Sequence, residues 1–117
     1  MATVYGIKNC DTVKKACAWL TQHEIDFQFH DFRKDGLSKT KVSSWLTSVD
    51  WETLLNKRGT TWRKLSNQQK SDTNKTTISG MMVEEPTLIK RPVLEHEGKV
   101  IVGFNIEVYQ EIFSTHG

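Results

Sequence analysis

Cys10 is the residue in this sequence best placed to do chemistry. It stands in YGIKNCDTVKKACAWL, residues 5–20, where a short apolar run ends and a helix-like pattern begins. A sulfur at a helix start lies near unpaired N–H groups and the positive end of the helix dipole, which favour the thiolate. We expect Asn9 to cap the helix with Cys10 as its first residue. The lysines at 14–15 add positive potential there, and Asp11 opposes it. The alternative is an inert buried thiol, since buried cysteines are common.

A second cysteine, Cys17, lies seven residues after Cys10 on the apolar face of the same predicted helix. An intact helix separates their Cα atoms by about 10 Å, which is beyond the reach of a disulfide. Val13 stands where a Cys-x-x-Cys redox pair would have its second thiol, and Ala16 stands where a phosphatase-type Cys-x5-Arg cradle would have arginine. The sequence therefore predicts a single nucleophilic thiol whose reaction an external reductant must complete.

The histidines give no metal-ligand spacing with cysteine or carboxylate partners, so we predict no metal site. They are His23, His30, His96 and His116. For His30, a histidine satisfied within a strand is a more frequent arrangement than a catalytic one. The residue types present would also permit a Cys–His hydrolase pair, although no spacing in the sequence indicates one.

Length and charge favour one compact domain, residues 1–117. The chain is long enough to bury a core and too short to divide comfortably in two. Its 16 Lys and Arg against 14 Asp and Glu give a net charge of +2, which does not favour a nucleic acid or a membrane as a partner. We find no signal-peptide pattern and no apolar run that could span a membrane. We therefore expect a cytoplasmic protein with reduced thiols.

The first elements predict a strand–helix–strand unit. Residues 3–7 form a β-branched and aromatic run, and residues 25–32 alternate apolar and polar side chains as a strand does. Between them, apolar residues recur with helical spacing at Val13, Ala16, Cys17 and Leu20. A crossover of this kind joins parallel strands.

Helical segments follow, and we interpret residues 38–83 as a helical insertion. Ser38 can cap the first helix of this region. Asp50 starts a second helix, residues 51–58, which Gly59 can end in a left-handed cap.

The end of the chain returns to strands. Residues 93–96 and 100–102 are short apolar runs joined through Glu97–Gly98, as in a hairpin. Asn105 can cap a last helix, whose predicted buried face is Ile106, Tyr109, Ile112 and Phe113. This order predicts an α/β protein with a four-stranded mixed sheet, helices on its faces and an inserted helical region, which is a thioredoxin-like topology.

Two arginines are candidates for completing the site. Arg58 precedes Gly59, and Arg91 precedes Pro92, where the third strand begins. A guanidinium fork binds oxyanions and carboxylates through two parallel hydrogen bonds. Most exposed arginines are only solvated, but an Arg–Pro pair at a strand start suits a cis peptide bond.

Several stretches together resemble the ArsC/Spx family, and most closely its small stand-alone, YffB-type branch. They are residues 5–20, HDFRKDGLS, LLNKRGTTWRKL, IKRPVL and VGFN, which cover nearly the whole chain. The resemblance implies an ArsC-like thioredoxin fold and a glutathione-dependent thiol reductase in which Cys10 is the catalytic nucleophile and Pro92 is a cis-proline. The anion- or glutathione-binding residues that we predict are Arg58, Arg91 and Pro92, together with Asn9, Asp11, Thr12 and Lys14 around the thiol.

The resemblance also implies what the protein works with. We expect no bound cofactor, glutathione as cosubstrate, glutaredoxin as a candidate partner, no nucleic acid, and a monomer. Arsenate reductases of the family use a third arginine near the last strand, and no arginine follows Arg91 here. Spx regulators carry a Cys-x-x-Cys motif, which Val13 interrupts. A redox-responsive regulator that binds RNA polymerase and an arsenate reductase therefore stand as the two alternatives.

Overall fold

The computed structural model describes residues 1–114, which contain four β-strands and seven α-helices. In chain order these are β1 Ala2–Gly6, α1 Asp11–Gln22, β2 Phe27–Asp31, α2 Lys39–Leu46, α3 Trp51–Leu54, α4 Thr60–Lys64, α5 Asn67–Ser71, α6 Ile78–Glu84, β3 Val93–His96, β4 Lys99–Val102 and α7 Ile106–Ile112. His116, one of the histidines considered for metal binding, lies outside the described residues.

The described residues divide into two compact units. The first unit takes Met1–Asp31 and the described residues from Arg91 onward, and it contains the sheet with α1 and α7. The second unit, Phe32–Lys90, contains α2 to α6. A single domain over residues 1–117 stays a prediction.

The sheet of the first unit has the strand order β2-β1-β3-β4. Strand β1 pairs parallel with β2, as the predicted crossover requires, and antiparallel with β3. Strand β4 completes the sheet as the antiparallel partner of β3. This mixed sheet, with a strand–helix–strand unit first and a hairpin and helix last, confirms the predicted α/β, thioredoxin-like fold.

One face of this sheet packs against α1 and α7. The buried cluster comprises Ala2, Val4, Ala16, Trp19, Leu20, Leu94 and Tyr109. Val4 pairs with Leu94, and Leu94 pairs with Ile101, so this row of the sheet presents its side chains to the helices. Leu20 and Leu94 are fully buried, and each burial stabilises the fold by about 2 kcal/mol.

The turn between β3 and β4 matches its prediction. Glu97 has φ 50° and Gly98 has φ 79°. Two successive positive φ angles are typical of the type I′ turn, whose twist matches that of the flanking strands. The hairpin through Glu97–Gly98 is therefore confirmed.

The second unit begins as predicted. The Ser38 hydroxyl accepts a hydrogen bond from the Lys41 backbone N–H, at 3.1 Å, and so caps α2. Helix α2 buries Val42 and Trp45, and the Trp45 ring lies 6.2 Å from the ring of Phe32. The prediction of Ser38 as an N-cap is confirmed.

The predicted helix over residues 51–58 is wrong beyond Leu54. The Asn56 N–H donates to the Leu88 carbonyl and the Lys90 N–H donates to the Leu54 carbonyl, each at 2.8 Å. These long-range hydrogen bonds take the backbone groups that a longer helix would need. Gly59 has φ −76° rather than a left-handed conformation, and it caps the start of α4 instead of ending α3.

The predicted buried face of α7 is also wrong in part. Asn105 caps the helix as expected, since its side chain accepts from the Val108 N–H at 3.1 Å. Tyr109 is fully buried, but Ile106 is 50% exposed. Phe104, just before the cap, packs edge-on against Tyr109 at 4.8 Å. This hydrophobic staple fills the core position that the sequence pattern assigned to Ile106.

No helix within residues 1–114 combines the length and the apolar character that crossing a membrane would require.

Candidate active site

Cys10 is the N-cap residue of α1. Its backbone is extended, with φ −111° and ψ 122°, and its carbonyl accepts the first helical hydrogen bond, from the Lys14 N–H at 3.0 Å. The prediction that Asn9 caps the helix is therefore wrong by one residue. Asn9 lies in the turn that follows β1, and only the next residue has the backbone geometry of an N-cap.

The N-cap position brings the sulfur closer to the helix end than the predicted first position would. An N-cap side chain is the one that reaches the free N–H groups of the second and third helical residues, here Thr12 and Val13. The Cys10 side chain makes no capping hydrogen bond, and the residue is partly exposed. The free backbone N–H groups at the start of this 12-residue helix can donate hydrogen bonds to a negatively charged group that reaches the N-cap.

Close packing between β1 and α1 fixes the position of this helix end. A Cβ atom on Gly6 would lie 2.7 Å from Cγ2 of Val13, which is buried in the first turn of α1. Only glycine therefore allows the strand and the helix to approach this closely. The sequence pattern does not single out Gly6, although a glycine inside a predicted strand often marks a close backbone approach.

The Arg91–Pro92 peptide bond is cis, as predicted. Pro92 directly precedes β3, and Tyr5 near the end of β1 pairs with Val93 at the start of β3. Pro92 and the connection from β1 to Cys10 therefore lie at the same edge of the sheet. The Gly103 N–H donates to the Pro92 carbonyl at 2.8 Å, so the end of β4 is tied to this edge as well.

The other predicted binding residues are distributed over both units. Asn9, Asp11, Thr12 and Lys14 are exposed residues around the start of α1, and Arg91 is half-buried next to Pro92. Arg58 belongs to the second unit, where it is exposed and its N–H donates to Oδ1 of Asn56 at 3.2 Å. The binding roles of all these residues stay predictions.

Cys17 differs from Cys10 in its surroundings. It is half-buried against the core cluster, in the middle of α1, and both cysteines are free thiols. Burial raises the pKa of the Cys17 thiol, because the apolar surroundings disfavour its charged form. With an intact helix between them, the two sulfur-bearing residues are held at opposite ends of about two turns.

Residues 1–114 contain no group of three or more histidine, cysteine or carboxylate side chains placed to hold a metal ion. His30 lies in β2, where its ring packs against Tyr5 at 4.9 Å, as expected of a histidine within a strand.

The fold of this chain, with a free cysteine at the start of the helix that follows β1, is that of a thioredoxin-like protein. The chain belongs to the ArsC family, whose family model matches residues 5–112. At the level of the family, this membership supports an oxidoreductase that works through a cysteine thiol.

Several relatives share nearly the whole chain. An uncharacterized protein of Haemophilus influenzae is 50% identical over 97% of this chain and 100% of its own. The solved structure of the YffB protein has a TM-score of 0.93 and 39% identity, and the match covers 97% of this chain and 100% of that one. An arsenate reductase (ArsC) related protein from Brucella melitensis is 46% identical, with a TM-score of 0.77 and coverage of 97% and 95%.

Regulators are also among the relatives. The global transcriptional regulator Spx of Streptococcus pyogenes is 30% identical over 90% of this chain and 79% of its own length. The family therefore includes both reductase-related proteins and a transcriptional regulator.

Proposed function

We propose that this protein is a glutathione-dependent thiol reductase in which Cys10 is the nucleophile. The observation that carries the proposal is the position of Cys10, whose side chain is partly exposed at the N-cap of a 12-residue helix and makes no capping hydrogen bond there. A thiolate in that position is stabilised and still accessible to a substrate. Membership of the ArsC family supports this function.

The proposed reaction proceeds through two thiol–disulfide exchanges. The Cys10 thiolate attacks the glutathione sulfur of a glutathionylated substrate, the substrate S–S bond breaks, and the substrate thiolate leaves and takes a proton from water. A glutathione thiolate then attacks the glutathione sulfur of the resulting mixed disulfide. This step releases oxidised glutathione and restores the Cys10 thiolate. Overall, the glutathionylated substrate and one glutathione thiol become the substrate thiol and oxidised glutathione, so one disulfide bond breaks for each disulfide bond that forms.

Cys17 is not expected to take part. Its raised pKa leaves little thiolate near neutral pH, and α1 holds it far from Cys10. The second exchange therefore needs an external thiol, either glutathione or glutaredoxin. A cytoplasmic monomer, in a compartment that keeps glutathione reduced, suits such a reaction.

In this proposal, the residues around the thiol hold the anionic groups of glutathione. The exposed first turn of α1 offers backbone N–H groups at Asp11 and Thr12, and the Lys14 side chain adds a cation. Arg91 supplies a guanidinium fork, and Arg58, which belongs to the second unit, is a further predicted anion-binding residue. We expect alanine at either arginine to weaken glutathione binding measured by calorimetry, and lysine to restore it only in part, since lysine supplies the charge without the fork. An alanine variant that binds like the parent would remove that arginine from the proposed site.

The function can be tested with a glutathionylated peptide, reduced glutathione, and glutathione reductase with NADPH to consume the oxidised glutathione. The wild-type protein should accelerate NADPH consumption, Cys10→Ser should not, and the matched variant Cys17→Ala should retain the rate. Acceleration by Cys10→Ser, or none by the wild type, would contradict the proposal. Arsenate in place of the peptide tests the arsenate-reductase alternative in the same assay.

A second candidate function is redox-responsive regulation of transcription. The 30% identity to Spx over most of the chain favours it. Val13 is evidence against a regulator of this kind. It is a buried valine at the position where a Cys-x-x-Cys motif needs its second thiol, and a valine cannot form a disulfide with Cys10. Retention of the protein on purified RNA polymerase, combined with no turnover of the glutathionylated peptide, would favour the regulator.

A further inference from the structure

One segment of the second unit has a net positive charge, whereas the rest of the chain has a net negative charge. Residues 53–71, called here the basic segment, contain five lysines and arginines and no aspartate or glutamate; the five are Lys57, Arg58, Arg63, Lys64 and Lys70. Because the whole chain has a net charge of +2 and the basic segment has +5, the remaining residues carry −3. The excess of positive over negative charge is therefore confined to about a sixth of the sequence.

Trp62 lies close to two of these cations, and a hydrogen bond positions a third. The Lys57 and Lys70 ammonium groups lie 6.0 Å and 5.9 Å from the centre of the half-buried Trp62 ring, at cation–π distance. The Arg63 guanidinium donates to the Arg58 carbonyl at 2.7 Å. Because like charges repel, holding these cations side by side costs electrostatic free energy in the free protein, and the contacts offset part of that cost.

Little negative charge offsets this cluster. Glu52 lies 3.9 Å from Lys57 in a pair whose two side chains are more than half exposed, and such pairs are weak. Glu85 and Lys64 line the same open groove of about 410 Å³. Within residues 1–114, neither Arg63 nor Lys70 has a carboxylate partner. A surface with this balance is complementary to an external anion.

We propose that the basic segment binds a short acidic stretch of a partner protein. Carboxylates clustered on a loop or helix of the partner would meet cations that Trp62 already holds in place, so little ordering is needed on binding. The concentrated positive field of the segment also attracts the acidic stretch from a distance and so raises the rate of association. The proposal does not depend on thiol chemistry, because all five cations belong to the second unit and Cys10 to the first.

Two observations favour an acidic protein over a nucleic acid. Single-stranded nucleic acids stack their bases on free aromatic faces. Trp62 is the one aromatic residue in the basic segment, and two lysine ammonium groups lie over its ring. A nucleic acid also continues its negative charge beyond the segment, where it meets residues with a net charge of −3.

Binding can be measured by fluorescence anisotropy with a fluorescein-labelled decaglutamate peptide and, in parallel, a labelled decathymidylate. The test variant neutralises three cations of the segment, Lys57→Gln, Arg63→Gln and Lys70→Gln. The control variant neutralises three exposed lysines elsewhere, Lys39→Gln, Lys75→Gln and Lys99→Gln. Both variants have the same net charge, and circular dichroism establishes that both are folded.

We expect the test variant to bind decaglutamate about tenfold more weakly than the wild type, and the control variant to change by less than about twofold. Binding should weaken between about 20 mM and about 150 mM salt, where the screening length falls to about 8 Å. Equal weakening in both variants, or no binding of decaglutamate by the wild type, would overturn the proposal. Tighter binding of decathymidylate than of decaglutamate would overturn the assignment of the partner as a protein.

Discussion

Replacing Tyr109 by phenylalanine should stabilise the protein. The Tyr109 side chain is fully buried, and its hydroxyl has no hydrogen-bond partner among the described residues. Its ring packs edge-on against Trp19 at 5.6 Å and against Phe104 at 4.8 Å, contacts that phenylalanine keeps. Tyr109→Phe therefore removes only the polar atom.

The expected gain follows from the state of that hydroxyl. A buried donor without a partner loses its hydrogen bonds to water on folding, and this loss destabilises the folded protein by about 1–3 kcal/mol. The substitution adds little new burial of the apolar ring, so we take the lower end of this range. Tyr109→Phe should therefore raise the free energy of unfolding by about 1 kcal/mol and the melting temperature by about 4 °C. The matched control is Tyr5→Phe. The Tyr5 hydroxyl donates to Oε1 of Glu95 at 2.9 Å, and its loss should destabilise the protein by about 1 kcal/mol.

The effect of Tyr109→Phe should grow at alkaline pH. Burial raises the pKa of Tyr109, and the nearby Cys17 raises it further. The folded protein thus keeps a proton that the unfolded chain releases above about pH 10. The unfolding free energy of the wild type then falls by about 1.4 kcal/mol per pH unit until the folded pKa is reached, whereas the variant lacks this loss. The gap should widen to roughly 2 kcal/mol near pH 11.

Urea denaturation at about pH 7 and about pH 11 measures both quantities through the change in midpoint at constant slope. A Tyr109→Phe protein less stable than the wild type at neutral pH would show that the hydroxyl has a stabilising partner. A gap that does not change with pH would show that Tyr109 ionises similarly in the folded and unfolded chains.

Two further predictions concern α1. Gly6→Ala should lower the unfolding free energy by about 1–3 kcal/mol in urea melts, because the new Cβ would meet Cγ2 of Val13 at 2.7 Å; adding Val13→Ala should recover part of this loss, and an unchanged midpoint in the single variant would contradict the close packing. Because burial raises the pKa of Cys17, iodoacetamide should label it more slowly than Cys10 near pH 8; equal rates in peptide mass spectra would contradict the difference in surroundings.

Local sequence patterns predicted the parts of the fold that local physics decides. The side chains of Ser38 and Asn105 cap their helices as their types suggest, and Glu97–Gly98 forms the predicted hairpin turn, in which Gly98 readily adopts its positive φ angle. The cis bond before Pro92 was predicted from the residue pair at a strand start.

The errors arose where distant contacts override local preference. Helix α3 ends at Leu54 because residues 54–56 hydrogen-bond with residues 88–90, more than 30 positions away in sequence. Ile106 fits the apolar spacing of α7, but it is exposed, and the partly buried Phe104 packs against the core instead. At the site, Asn9 is the better capping residue by type, yet the turn after β1 gives the capping geometry to Cys10. Neither the unpartnered Tyr109 hydroxyl nor the Gly6 contact is visible in a single sequence.

In the proposed reaction, Cys10 alone carries the reactive thiol and needs an external thiol to recover. Intact-mass spectrometry of the reduced protein after one equivalent of oxidised glutathione tests both features. We expect a single added glutathionyl group on the wild type and on Cys17→Ala, none on Cys10→Ala, and its removal by reduced glutathione or glutaredoxin. A glutathionyl group on Cys10→Ala, or a Cys10–Cys17 disulfide in the folded wild type, would contradict the account.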